Sequence, residues 1–428
     1  MFVRFTGYSA PGMSARSAAQ HLLDAVLRGK RTLDEAMGVV LALNHLEPRD
    51  RGFARLLAAT VLRRLGTLDA VIAKCLDKGA PPQPVAHVLR LGAAQLLFLG
   101  TPAHAAVGET VDLGPPKLRG LVNAVLRRIA RQGATLLDDI DQARADTPDW
   151  LWDALVAGHG EAQTRMIVAA MRDEAPLDLS VKTDPVGWAE KLGAELRPTG
   201  TLRLREAGNV PDLPGFEEGA WWVQDEAAAL PVRLLGDVAG QRVLDMCAAP
   251  GGKTLQLAAA GAKVVAIDQN AKRLDRLVEN LARTGLEAEI VIADAAKWRA
   301  PAPFARVLLD APCTATGTLR RHPEIAHLKS GTDATKLTAA QDKLLDAAAA
   351  ATAHGGILVY AVCSLDPREG PARMTAFLAR HRDFAREAVR AEELGGRAEL
   401  IDDSGDLRTT PAHGMDGFYA ARLRRAAR

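Results

Sequence analysis

Apolar and polar positions along the chain follow two successive rhythms. From about residue 16 to residue 133 apolar residues recur every three or four positions, the period of an amphipathic helix. In GLVNAVLRRIAR, Leu121, Val122, Val125, Leu126 and Ile129 share one face while Arg127, Arg128 and Arg131 cluster opposite. ARLLAATVLRRL repeats the arrangement with Leu56, Leu57, Val61, Leu62 and Leu65, and the breaker runs PPQP (81–84) and GPP (114–116) punctuate the series. This pattern predicts a compact all-helical bundle.

The rhythm then changes. Between about 145 and 235 it is mixed, with helical stretches in WLWDALVAGHG and EAQTRMIVAAM, a strand at LDLSVKT and a Gly- and Pro-rich run ending at Trp222. The apolar content there predicts a small connecting subdomain rather than a disordered linker. From about 236 onward, short apolar runs alternate with helical patterns. Strands are predicted at RVLDM (242–246), KVVAI (263–267), AEIVI (288–292), RVLL (306–309) and ILVYAV (357–362), which implies a mostly parallel sheet covered on both faces. Ligands of such sheets lie at the carboxyl ends of the strands.

A chain of 428 residues is expected to divide into two or three domains. Its 48% hydrophobic and 25% charged content suits folded domains, and aromatics at 4% leave the packing to Leu, Val and Ala. The opening MFVRFTGYSAPGMSARSAAQ carries no secretory segment and no window is apolar enough to span a membrane, so a cytoplasmic protein is expected. Cysteines stand at 75, 247, 313 and 363 with no C-x-x-C pair, which argues against a zinc site or a disulfide framework, and no metal is expected. The net charge of +2 hides an asymmetry: residues 1–133 hold 18 Lys plus Arg and 9 Asp plus Glu, a net of +9, which leaves −7 for the remainder. Solvated helix faces account for such an excess, and so does a phosphate-binding surface.

Chemistry concentrates at the predicted strand ends. The first strand runs into VLDMCAAPGGKT, where Gly251 and Gly252 permit a tight turn before a helix whose free N–H groups face the entrance. A phosphate-binding P-loop would need glycine where Cys247 stands, so the nucleotide-hydrolase reading fails. Asp268 ends the second strand, 23 residues after Asp245, and suits the ribose hydroxyls of a nucleoside cofactor; Asp294 ends the next and could meet an adenine edge. Singly, each acid reads as a cap or turn residue. Together with a first turn that is not G-x-G-x-x-G, they point to S-adenosylmethionine rather than a nicotinamide cofactor.

DMCAAPGGKT, DAPCTATGTLRRHPE, YAVCSLDPREG and the closing HGMDGFYAARLRR resemble, in order and spacing, the RNA cytosine carbon-5 methyltransferases of the Sun (RsmB) family. LRLGAAQLLFLGTPAHAAVGETVDL and GLVNAVLRRI resemble the NusB-like RNA-binding domain fused to its bacterial ribosomal members. The resemblance implies three parts: a NusB-like all-α bundle (1–140), a small α+β connecting subdomain (141–235) and an α/β Rossmann-like methyltransferase domain (236–428). It implies S-adenosylmethionine held by Cys247, Ala248, Ala249, Pro250, Gly251, Gly252, Lys253, Asp268, Arg273, Asp294 and Asp310. The implied partner is 16S ribosomal RNA of the small subunit, met by a monomer without a membrane.

The reaction explains a need for two thiols. Carbon 5 of cytosine is a poor nucleophile until a thiolate adds to carbon 6, and after methyl transfer the carbon-5 proton must leave so that the thiol can be eliminated. In the family the cysteine of the later motif attacks and the one after Asp-Ala-Pro assists release, which implies Cys363 and Cys313 in those roles. Spacing alone leaves the assignment open, since DNA cytosine methyltransferases attack with a Pro-Cys. Asp310 is implied at the polar edge of the base, and Arg368 or Arg320 is expected to favour the thiolate. Three places depart from the family pattern. Ala361 and Val362 stand for Ser-Thr, Thr314 and Ala315 for Ser-Gly, and Ser180-Val181-Lys182 for Arg-Val-Asn. A non-catalytic RNA-binding factor, or the same chemistry on transfer RNA or DNA, are the competing readings.

Overall fold

A computed structural model describes residues 14–77, 79–205 and 208–427. The first thirteen residues, part of the opening stretch in which no secretory segment is expected, lie outside the described residues. No helix among the described residues is long and apolar enough to cross a membrane.

The chain divides into two compact units. The first takes the residues up to Trp152 and is helical, its main helices being Ala15–Leu27, Leu33–Val39, Pro48–Arg63, Leu65–Cys75, Gln83–Leu97, Ala103–Val111 and Arg119–Gln132. Local chemistry sets the boundaries. Ser14 accepts the Ser17 N–H, Thr32 and Glu35 form a capping box, and prolines occupy the first turns at Pro48 and Pro84. The faces read from the sequence are the buried ones: Val122, Val125, Leu126 and Ile129 join Leu57, Val61 and Leu62 in one apolar core.

One segment of this unit comes from far along the chain. His322–Lys329 belongs to it, with Glu324 accepting the Leu33 N–H at 3.2 Å, His327 Nε2 lying 2.8 Å from the Leu62 carbonyl, and Leu328 packing on the bundle core.

The second unit comprises Asp153–Arg321 and Ser330–Arg428. It holds a small antiparallel sheet of β1 (Leu177–Val181), β2 (Glu195–Leu196), β3 (Leu202–Leu204) and β4 (Trp221–Val223), in the order β2-β3-β1-β4. A larger sheet contains β5 (Arg242–Met246), β6 (Lys263–Asp268), β7 (Glu289–Ile292), β8 (Phe304–Asp310), β9 (Thr352–Val362), β10 (Phe384–Arg386), β11 (Leu407–Arg408) and β12 (Tyr419–Arg425). Its order is β10-β12-β9-β8-β5-β6-β7, with β11 also on β12. The five strands read from the sequence are the parallel ones; β10, β11 and β12 add an antiparallel flank. Their signal was the alternation in Tyr419, Ala421 and Leu423, all buried on one face.

Both faces of the parallel core are covered. Val243, Val264, Ala266, Leu308, Val359 and Ala361 enter one core, while Leu244, Val265, Ile267, Val307, Leu309 and Leu358 enter the other. That is why these strands read as unbroken apolar runs.

Candidate active site

β5 lies between β6 and β8, so the order of strands reverses beside it and opens a crevice at the carboxyl ends. The turn after β5 is tightly specified. Cys247 adopts φ 63° and Gly251 φ 108°, and a Cβ on Gly251 would stand 2.3 Å from Leu277 Cδ1. The helix Gly252–Ala259 then starts with its first N–H groups at this edge. Asp268 anchors the turn by accepting the Ala249 N–H at 3.2 Å and the Asn270 N–H at 2.8 Å, and Arg273 donates to the Ala249 carbonyl.

Behind the turn, Asp245 is fully buried. Burial pushes its carboxyl up to about 7, against the opposing pull of the Thr254 hydroxyl donated to Oδ2 at 2.6 Å. Its Oδ1 has no hydrogen-bond partner among the described residues. Burial likewise raises the Cys247 thiol, helped by Asp268, Asp310 and Asp245 around it. Asp294 stands apart from this group: its exposed carboxylate accepts the Ala296 N–H and pairs with Lys297 at 3.1 Å, which holds its pKa down.

S-adenosylmethionine fits this donor set. The helix from Gly252 presents its first N–H groups at the crevice, Asp268 keeps spare lone pairs for hydroxyls, and buried Asp245 retains an unpartnered oxygen where a cationic ligand would be favoured.

The two cysteines meet because of sheet register. β8 and β9 are parallel neighbours with Asp310 opposite Ala361, so Cys313 and Cys363 leave the sheet at nearly the same level. Their sulfur atoms lie 3.4 Å apart. Beside them, Lys253 Nζ donates to Asp310 Oδ2 at 2.7 Å and sits 5.1 Å from the centre of the Phe418 ring. Burial works against the Lys253 charge, but Asp310 and then the nearby Cys363 outweigh it and raise the amine's pKa. Lys253 is therefore a cation within electrostatic reach of Cys363. Arg368 pairs with Asp366 at 2.6 Å, and Arg320 lies 3.6 Å from Asp416, so carboxylates engage both of the expected arginines.

A carboxylate that sequence reading passed over lies behind both thiols. Glu369 is fully buried and accepts the Thr314 N–H at 3.0 Å, the Thr314 hydroxyl at 2.5 Å, the Ser364 hydroxyl at 2.5 Å and Gln341 Nε2 at 3.1 Å. Gln341 also donates to the Pro312 carbonyl at 2.9 Å. Its position six residues after Cys363 is the only clue to it in the sequence. The Cys313 thiol is raised well above its usual range, first by its hydrogen bond to Cys363, then by burial and by the charges of Cys363 and Glu369.

The three departures now have places. Thr314 uses its hydroxyl on Glu369, and Ala315 takes a left-handed conformation at φ 59°. Ala361 and Val362 are fully buried in β9, and Lys182 donates to the Thr284 carbonyl at 2.7 Å.

Comparison with known proteins supplies the context. A family model described as 16S rRNA methyltransferase RsmB/F matches residues 232–424, and the NusB family model matches 13–131. Ribosomal RNA small subunit methyltransferase B of Pseudomonas putida is 42% identical, covering 96% of this chain and 98% of that protein. The chain belongs to the RsmB/F family. A second RsmB/F relative, ribosomal RNA small subunit methyltransferase B of Vibrio cholerae, is 38% identical over 96% of this chain and 97% of its own. Among solved structures, NSun6 from Pyrococcus horikoshii with SFG superposes with a TM-score of 0.56 at 20% identity, covering 66% of this chain and 99% of that one, a likeness of fold.

Proposed function

We propose that this RsmB/F member transfers a methyl group from S-adenosylmethionine to carbon 5 of a cytosine in 16S ribosomal RNA, through a covalent bond between Cys363 and carbon 6. The observation that carries the reading is the pair of sulfur atoms 3.4 Å apart at the ends of adjacent parallel strands, with the Lys253–Asp310 pair beside them. The relatives' names supply the ribosomal substrate.

Gly251, Asp268 and the helix starting at Gly252 would hold the cofactor, with Asp245 behind them. When bound, it supplies an electrophilic methyl group. Cys363 adds to carbon 6 as a thiolate, its charge supported by Lys253. Asp310, oriented by its bond from Lys253, meets the polar edge of the base and stabilises the protonated ring nitrogen that accompanies addition. Cys313 acts at release. The carbon-5 proton passes to solvent water, its bonding pair re-forms the carbon 5–carbon 6 double bond, the carbon–sulfur pair returns to Cys363, and a hydrogen bond from Cys313 stabilises that sulfur. The target base must leave any stack, at about a few kcal/mol, so unpaired or easily opened RNA is the substrate. The basic helix Arg119–Gln132 offers cations to its phosphates.

Denaturing electrophoresis after incubation with ribosomal RNA and labelled methyl donor tests this. Cys313→Ala should accumulate a slow-migrating protein–RNA adduct, and Cys363→Ala should give neither adduct nor methylated RNA. Methylation by Cys363→Ala would overturn the assignment, and absence of label from wild type across ribosomal, transfer and DNA substrates would favour a binding factor.

A further inference from the structure

The two thiols are chemically alike and touch each other, yet the reaction needs one to attack and the other to wait. Their surroundings differ in sign. Cys363 lies within electrostatic reach of the Lys253 ammonium, which is held in place by Asp310 and Phe418. Cys313 has the Glu369 carboxylate, with the Tyr360 ring also within electrostatic reach and the backbone at Ala315 donating to it. Burial raises the Glu369 carboxyl pKa, and the hydrogen bonds it accepts from four groups oppose that rise by favouring the charged form. Three of those groups belong to residues that directly follow the cysteines: the Thr314 N–H and hydroxyl after Cys313 and the Ser364 hydroxyl after Cys363. The turns are further tied by Gly317 N–H to the Cys363 carbonyl at 3.0 Å and Leu365 N–H to Thr316 Oγ1 at 2.9 Å.

We propose that Glu369 is a positioning residue that assigns the two thiols their roles: it clamps the turns after Cys313 and Cys363 together and keeps the shared proton on Cys313. This rests on the covalent methyltransferase reading and deepens it. With the proton on Cys313, the hydrogen bond across 3.4 Å runs from Cys313 to the Cys363 sulfur, supporting the same thiolate that faces Lys253. An anion behind one sulfur and a cation beside the other thus break a symmetry that sequence motifs alone leave open.

The test needs no RNA. Iodoacetamide is applied to the full-length protein from about pH 6 to about pH 10, and initial labelling rates of the Cys313 and Cys363 peptides are read by mass spectrometry. In wild type Cys363 should label at least about tenfold faster than Cys313 near neutral pH. Glu369→Gln should collapse that ratio by about tenfold and lower the pH midpoint of Cys313 labelling, and Glu369→Asp should restore most of it. A purely structural role would change both rates together, or the unfolding temperature, and leave the ratio alone. Equal rates in wild type, or an unchanged ratio in a folded Glu369→Gln, would overturn the proposal; if Glu369→Gln does not fold, the wild-type ratio decides. Methyl transfer by wild type to ribosomal RNA is scored separately. Failure of the enzymatic reading and failure of the Glu369 assignment therefore give different results.

Discussion

The helical unit and the catalytic unit bury different things. Among the described residues, the only buried acid or base in the helical unit is Glu324, which arrives on the segment from the other half of the chain. The catalytic unit buries Asp178, Arg203, Asp225, Glu226, Asp245, Lys253, Asp268, Arg320, Asp366, Glu369, Asp406, Asp416 and Arg422. Some of these form networks. Arg203 grips Asp178 through two hydrogen bonds of 2.7 Å and reaches Glu226, while Arg321 bridges Asp225 at 2.7 Å and Asp416 at 3.1 Å. The bundle is held by apolar packing that tolerates exchange of similar side chains, whereas the catalytic unit relies on charges that leave their partners stranded if one is removed.

Breaking a network gives the largest effect. Asp178→Ala should destabilise the catalytic unit by about 3–5 kcal/mol in urea unfolding, because it strands the Arg203 guanidinium and the Glu226 N–H. A loss below about 1 kcal/mol would erase the contrast between the units.

A pH-dependent effect comes next. The folded state keeps the Asp245 proton up to about 7, whereas the unfolded chain loses it near the ordinary carboxylate value. Native protein therefore binds more protons across that interval, and the Asp245 contribution to stability falls as pH rises from about 4 to about 7. Asp245→Asn, which can still accept from Thr254, should unfold at a temperature that rises relative to wild type across the same range. A constant difference would show that Asp245 does not titrate there.

Smaller changes follow. Ala315→Gly should stabilise by about 0.5–1 kcal/mol, since glycine accepts φ 59° without the Cβ clash, and a loss would place a packing role on that methyl group. Arg55→Ala, which breaks an exposed 3.3 Å pair with Asp34 in the bundle, should cost less than about 1 kcal/mol in the same assay.

The same contrast decides what could be read from the chain. Helical faces and buried strands announce themselves by period, and the motif cysteines and acids sit where those strands end, so the architecture and most of the crevice were legible. What escaped were side chains whose meaning depends on distant partners. Asp178 in LDLSVKT has the local look of a solvent-facing strand residue, and only Arg203, 25 positions on, makes it a buried ion. Glu369 and Gln341 are equally silent, because nothing near either residue in sequence shows that they meet behind two thiols. Arg320 and Arg368 were attractive for the opposite reason: they are close to the cysteines in sequence, yet carboxylates of their own claim them.

The placement of His322–Lys329 bears on modularity. A gene fragment cut at residue 153 would encode the catalytic unit with eight residues whose packing belongs elsewhere, among them Ile325 and Ala326, buried in the full chain, and a carboxylate at Glu324 that has lost the Leu33 N–H. Grafting the helical unit of one relative onto the catalytic unit of another meets the same obstacle. A recombinant that keeps these eight residues with their native bundle should be soluble where a simple end-to-end fusion aggregates, so inheritance of the two halves is tied through a motif that begins nine residues past Cys313.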